Sequence, residues 1–140
     1  MIVIDTSFLY ALLDGRDHRH RDAVGWYEAM SEELVTTPLV LAETDHLAAT
    51  RAGRSAQAAF RRDVATGAYA VEWWRTAAVE SVEVADRYAD LGVSLTDGSL
   101  VALAARVETH AIATFDERHF RAMRPIGRAP AFTVVPADST

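Results

Sequence analysis

The sequence predicts an α/β fold of three layers, with a mostly parallel central sheet of about five strands between two layers of helices. Three observations predict it. Short apolar or alternating runs of strand length recur along the chain, and each is separated from the next by a stretch of helical period, so neighbouring strands must be joined by crossovers rather than hairpins. The 140 residues, half of them hydrophobic, suit one domain of 1–140 with a core of ordinary size. Pro38, Gly53, Gly67 and Gly92 mark the ends of these stretches.

Residues 1–5 read as a buried strand, followed by Thr6 and Ser7 as caps of a helix running to Leu13. A charged loop, 14–20, precedes a helix over about 22–33 and a short strand over 34–37. Pro38 then marks the turn into a helix that Gly53 ends. Ser55 begins another helix, to about Gly67. The alternation over 69–73 predicts a strand, and 76–91 a helix closed by Gly92. Asp97 opens a helix to about Thr109, before a strand over 111–115. A last strand at 132–135 leaves a polar tail, 136–140, expected to fray.

Composition narrows the function classes. With no cysteine there is no disulfide framework, thiolate nucleophile or cysteine zinc site, and the cytoplasm is the expected compartment. The apolar opening Met1-Ile2-Val3-Ile4 stops at Asp5, without a basic flank and far short of the roughly 20 residues a membrane span needs, so neither a targeting segment nor a membrane partner is expected. A net charge of −6 argues against bulk attraction to nucleic acid but leaves room for a nuclease whose acids are offset by cations. All the positive charge is arginine, which bonds two phosphate oxygens at once. The absence of lysine and asparagine beside abundant alanine points equally to coding bias.

Four acids stand out. Asp5 and Asp116 each follow an apolar run, which puts them at the carboxyl ends of predicted strands, the edge where open α/β sheets bind ligands. Glu43 shares a helical stripe with Leu39 and Leu47, and Asp97 shares one with Leu100, Val101 and Ala104, so both are expected on apolar faces. Each acid alone also fits a cap or turn residue. Four ionised acids facing one edge of a core are costly unless paired or joined by a hard divalent cation, so together they predict a metal site. His18 and His20 sit in a solvated loop without a third ligand. His46 reads as a surface or capping residue, and His110 and His119 as structural or exposed. Ser7 lacks the surroundings of a serine nucleophile.

The hydrophobic-Asp5-Thr6-Ser7 opening, the mid-chain Glu43, the Asp97-Gly98-Ser99 start of an alanine-rich helix, and Thr114-Phe115-Asp116 before Phe120 together resemble a PIN domain, and more narrowly a VapC-type toxin. The resemblance covers nearly the whole chain and implies a PIN-like α/β/α sandwich. The implied activity is a magnesium-dependent endoribonuclease, the toxin of a toxin–antitoxin pair. Asp5, Glu43, Asp97 and Asp116 would hold the metal, with Ser7 and Thr114 as polar helpers. Magnesium keeps several waters, so Asp5 and Asp97 are expected as direct ligands and Glu43 and Asp116 as ligands directly or through water, with manganese able to substitute. The resemblance further implies an RNA substrate, a VapB-like antitoxin that puts a basic side chain into the acidic site, and a homodimer.

Other functions fit the same pattern. A PIN-like nuclease with a housekeeping RNA-processing or DNA substrate is one alternative, and a non-catalytic binding module on the same fold is another. A phosphoacceptor signalling module would need a lysine near its acids, and the chain has none.

Overall fold

The computed structural model describes residues 1–139. Five strands form one sheet: β1 (Ile2–Ile4), β2 (Leu34–Thr36), β3 (Ala70–Val71), β4 (Ala111–Ala113) and β5 (Thr133–Val135). All pairings are parallel, in the order β3-β2-β1-β4-β5. Val3 of β1 lies opposite Val35 on one side and Ile112 on the other. The chain therefore winds from β1 through β2 to β3, then returns across the sheet to β4 and β5. The order reverses between β1 and β4, and at such a switch point the connections leave in opposite directions and open a crevice at the carboxyl ends of the strands. Asp5 and Thr114 are the first residues beyond those two strands.

β1, β2 and nearly all of β4 are buried, as expected of strands covered by helices on both faces. The core between the layers is built from Val3, Ile4, Phe8, Val35, Phe60, Leu103, Ile112 and Phe120. The helices are α1 (Thr6–Leu13), α2 (His20–Ala29), α3 (Pro38–Leu47), α4 (Arg54–Ala65), α5 (Ala77–Arg87), α6 (Leu95–Arg106) and α7 (Glu117–Ala122). Among the described residues, no helix is long and apolar enough to cross a membrane.

Several element boundaries differ from the expected ones, each for a local reason. The cap of α1 is Asp5 rather than Thr6 or Ser7, its carboxylate accepting from the Thr6 amide. α2 begins at His20, whose Nδ1 lies 2.7 Å from the Ala11 carbonyl, and stops at Ala29 because Met30 is extended. After α3 the chain continues through a π-helical turn, Ala48–Ala52, with the Thr50 hydroxyl donating back to the His46 carbonyl. Gly53, at φ 100°, ends it in a conformation a side chain would strain. The strand expected over 69–73 is paired only at Ala70–Val71, on the sheet edge. α5 ends at Arg87, and a 3₁₀ turn, Ala89–Leu91, carries the chain to Gly92.

Asp97 does not open α6. Ser94 caps it, accepting from the Asp97 amide at 3.0 Å while the Asp97 carboxylate accepts from the Ser94 amide at 3.4 Å, which is a capping box. The short α7 was not expected from the sequence. The expected frayed end at Thr140 lies outside the described residues, while residues 136–139 form a turn in which Asp138 accepts from the Val134 amide and pairs with Arg121.

α5 and α6 pack closely where Gly98 lies against the backbone of Ser81. A Cβ at Gly98 would stand 2.4 Å from the Ser81 carbonyl oxygen, so the contact requires glycine at the residue after Asp97. On the other side of α6, Ser99 Oγ meets Thr37 Oγ1 at 2.9 Å and ties the helix to the end of β2. The start of α6 is thereby held from two directions, and Asp97 with it.

Candidate metal centre

Asp5 is the most buried of the four acids, 4% exposed, and every hydrogen bond it receives comes from the switch point itself. Its Oδ1 accepts from the Thr6 amide at 2.7 Å, and its Oδ2 accepts from the hydroxyls of Thr114 at 2.7 Å and Ser7 at 3.0 Å. The two hydroxyls are themselves set by the backbone beyond β4. Thr114 Oγ1 accepts from the Asp116 amide and Ser7 Oγ from the Phe115 amide, both at 2.9 Å. Each hydroxyl proton is thereby directed at Asp5, and the 3.1 Å approach of Ser7 to Thr114 is a contact between two donors already committed. The Asp5 carboxylate is held in one orientation by both sides of the crevice.

Burial pushes the Asp5 carboxyl up to about 6, and the nearby Asp97 charge adds to this, against the hydrogen bonds of Thr114, Ser7 and Thr6. Asp97 is raised for the same first reason, burial, with the Asp116 charge adding to it and the Ser94 amide and His119 opposing. Asp116 caps α7 through the His119 amide at 3.2 Å. Both readings of Asp5 and Asp116 therefore hold together: each is a helix cap and each faces the cleft.

Glu43 departs from expectation. The buried residues of α3 are Val40 and Thr44, while Glu43 is exposed and does not face the core. It lines the open side of the same cleft as the three aspartates. Leu39 and Leu47, its expected stripe, are only half-buried, so a stripe of leucines at helical spacing marked the edge of the buried face rather than its centre.

The cleft has a volume of about 420 Å³ and is lined by Asp5, Ser7, Glu43, Asp97, Asp116 and His119, with Arg19 and Arg51 also on its wall. His119 is the residue that sequence reasoning missed. Rather than standing apart, its Nδ1 lies 2.9 Å from Asp116 Oδ2 and 3.5 Å from Asp97 Oδ2, and its Nε2 3.1 Å from the Leu91 carbonyl. The spacing Asp116-x-x-His119 after a predicted strand was the available signal, since a cap and the residue three beyond it share the first turn of a helix. His46 is exposed on α3, and the His20 ring is turned to the Ala11 carbonyl.

The donor set fits a hard divalent cation. One oxygen of Asp5 receives a single hydrogen bond and keeps a free lone pair, and Asp97 and Asp116 bring further carboxylate oxygens that, with the His119 ring, lie within 4.8 Å of one another. Burial and mutual repulsion raise the Asp5 and Asp97 carboxyls, and a cation among them would reverse both effects. A larger hollow of about 600 Å³ adjoins the cleft, sharing Arg19 with it and lined also by Arg21, Trp26, Thr114 and Phe115. The Arg19 guanidinium lies 5.0 Å from the centre of the Phe115 ring.

Comparison with known proteins agrees with this fold. The family model described as PIN domain matches residues 2–124. Ribonuclease VapC26 of Mycobacterium tuberculosis (strain ATCC 25618 / H37Rv) is 38% identical over 136 residues, covering 96% of this chain and 100% of that protein. Among solved structures, the fold is similar to Mycobacterium tuberculosis VapC20, described as a Sarcin-Ricin loop cleaving toxin. The TM-score is 0.78 at 24% identity, over 84% of this chain and 91% of that one. It is also similar to a toxin-antitoxin complex from Klebsiella pneumoniae, with a TM-score of 0.66 at 19% identity, over 91% of this chain and 97% of that one.

Proposed function

The chain belongs to the PIN-domain family, and on that premise we propose that it is a metal-dependent endoribonuclease acting as the toxin of a toxin–antitoxin pair. The observation that carries this reading is the convergence of Asp5, Asp97 and Asp116 in one cleft at the β1/β4 switch point, with Glu43 on its open side. The name of the 38% identical relative, a ribonuclease, supports the activity.

In this reading Asp5 and Asp97, the two more buried acids, hold magnesium or manganese directly, while Asp116 and Glu43 do so directly or through water. A cation held there would supply positive charge to the scissile phosphate and would lower the pKa of an attacking water. Thr114 and Ser7 hold the Asp5 carboxylate so that its orientation needs no rearrangement when the phosphate arrives. Glu43 and Asp116, nearer solvent, would orient that water and accept its proton. Arg19 and Arg51 stand where they can bond phosphate oxygens of the strand on either side of the cut. The adjoining hollow, with Trp26 and Phe115 beside Arg19 and Arg21, offers room for an unstacked nucleotide of single-stranded RNA.

The neighbour from Klebsiella pneumoniae is a toxin-antitoxin complex, which supports a VapB-like antitoxin as partner. An antitoxin that inserts a basic side chain among the four acids would occupy the position of the cation and silence the cleft. The chain is further proposed to work as a homodimer in the cytoplasm.

The test is cleavage of a mixed ribosomal and transfer RNA pool by the purified free chain with magnesium, with manganese and with chelator, beside Asp97→Asn. Metal-dependent cuts at a few discrete sites, lost in the variant at unchanged circular dichroism, are the expected result. Equal activity of the variant, or cutting that persists in chelator, would refute the assignment.

A further inference from the structure

We propose that the hollow beside the acidic cleft seats one unpaired base of the substrate, stacked on the guanidinium plane of Arg19, with Asp17 as the residue that positions that plane. The proposal rests on the metal-nuclease reading above and names the class of RNA it takes: single strands and loops, in which a nucleotide next to the scissile phosphate can turn its base outward.

Arg19 stands on the wall shared by the cleft and the hollow. An arginine beside a surface loop ordinarily samples many rotamers, but this one is held twice. Asp17, whose side chain is 10% exposed, accepts from the Arg19 amide at 2.8 Å and from its Nε and Nη2 at 3.3 and 3.5 Å. The guanidinium also lies over the Phe115 ring, which is stacked on buried Phe8 at 5.6 Å with 11° between the planes. Phe8, Phe115 and Arg19 thus form a column that runs from the core to the hollow and carries a flat cation on its aromatic rings. Guanidinium planes and aromatic faces are the surfaces on which proteins stack unpaired RNA bases. Asp17 engages Nε and Nη2, so the Nη1 hydrogens remain for a phosphate oxygen of the same strand.

The hollow has room for such a base. Its volume of about 600 Å³ is that of a ligand site rather than a packing defect. Trp26, half-buried and edge-on to Phe8 at 5.2 Å, forms another part of its wall. Gly25 lies beside it within α2, where glycine weakens a helix relative to alanine. No packing neighbour demands this glycine as the Ser81 backbone demands Gly98, since a Cβ at Gly25 would meet no atom within 4 Å. Its effect is to leave the wall of the hollow open.

Thr114 joins the hollow to the acids, because it lines the hollow while its hydroxyl donates to Asp5 at 2.7 Å. A base seated there therefore belongs to a nucleotide adjoining the phosphate at the acids. Bases of a duplex are stacked on their neighbours and cannot offer a face to Arg19.

The experiment is cleavage kinetics on short RNA oligonucleotides spanning one discrete cut site, each with a single base removed to leave an abasic ribose. The wild type should lose about tenfold to a hundredfold in kcat/KM at one position adjoining the cut and less than about threefold elsewhere, and annealing the complementary strand should abolish cutting. Arg19→Lys keeps the charge and loses the plane, while Gly25→Leu fills the hollow without touching the acids. Each should cut the intact oligonucleotide more slowly and bring the abasic penalty below about threefold. Asp17→Asn should shrink the same penalty at unchanged circular dichroism, whereas a merely structural role would slow intact and abasic substrates alike. No position-specific penalty, a penalty that survives in both Arg19→Lys and Gly25→Leu, or duplex cut as fast as single strand overturns the base subsite and leaves the acids standing. If no metal supports cutting of any RNA, the nuclease reading itself falls. Fluorescence anisotropy of an unstructured oligonucleotide and its fully abasic counterpart then decides the subsite: loss of the bases should weaken binding to the wild type at least about fivefold more than to Arg19→Lys, and equal weakening overturns it.

Discussion

The Asp5 carboxyl should destabilise the metal-free protein at neutral pH, and replacing it with asparagine should make the protein more stable while abolishing its activity. Burial and the Asp97 charge raise this group from 3.8 to about 6. Because the folded pKa lies above the unfolded one, the folded state holds the proton more tightly. The stability linked to that proton is fully present below 3.8 and is lost as the pH rises through about 6. The gap corresponds to about 3 kcal/mol at about 1.4 kcal/mol per pH unit, all of it lost by pH 8. Asparagine can occupy the same place. Its carbonyl can accept from the Thr6 amide, and its NH₂ can donate to Ser7 Oγ and Thr114 Oγ1, each of which accepts only one backbone amide in the native protein.

Denaturant or thermal unfolding in chelator, for wild type and Asp5→Asn at pH 4 and pH 8, measures the effect. The variant should gain up to about 3 kcal/mol over wild type at pH 8, about 10 °C in Tm for a chain of this length, and less than about 1 kcal/mol at pH 4. Groups that do not act on Asp5 titrate alike in both proteins and cancel in the difference, whereas the part of the Asp97 titration coupled to Asp5 belongs to the effect measured. Adding magnesium or manganese at pH 8 should stabilise the wild type and leave the variant unchanged, since a ligand stabilises only the state that binds it. An identical pH dependence of the two proteins in chelator would refute the reasoning, because Asp5 would then carry no burial penalty.

Thr114→Val should remove the 2.7 Å bond to Asp5 and leave the Asp116 amide without its acceptor, at a cost of about 1–3 kcal/mol in a denaturation curve and with metal affinity weakened in a binding titration. Gly98→Ala should cost at least about 1–3 kcal/mol, because its Cβ would meet the Ser81 carbonyl oxygen at 2.4 Å and force α5 from α6; an unchanged Tm would contradict this packing. Arg61→Ala breaks an exposed pair with Asp45, at 2.8 and 3.0 Å, and should leave the denaturation midpoint nearly unchanged and RNA cleavage unaffected.

The order and type of most elements follow from local features. The apolar run before Asp5, Pro38 at the first turn of α3, Gly53 at positive φ and Gly92 after the 3₁₀ turn lie within a few residues of the structure they control. The same locality explains what was misplaced. α7 is six residues long, too short to show a helical period, and the strand over 69–73 shrinks to a two-residue edge pairing because only β2 lies beside it. Ser94 displaced Asp97 as the cap of α6 because a capping box places the serine three residues ahead of the acid.

By itself, the sequence determined that the chain forms a parallel α/β sheet and that acids follow two of its strands, because strand and helix periods and the residues that end them act over short stretches of chain. Only the tertiary structure decided how those acids meet. The reversal of strand order between β1 and β4 brings Thr114 to Asp5 across 109 residues of chain, turns Glu43 outward at the rim, and sets the Leu91 carbonyl against His119 so that the other ring nitrogen faces the aspartates. Those contacts join residues far apart along the chain, and no local period or cap encodes them.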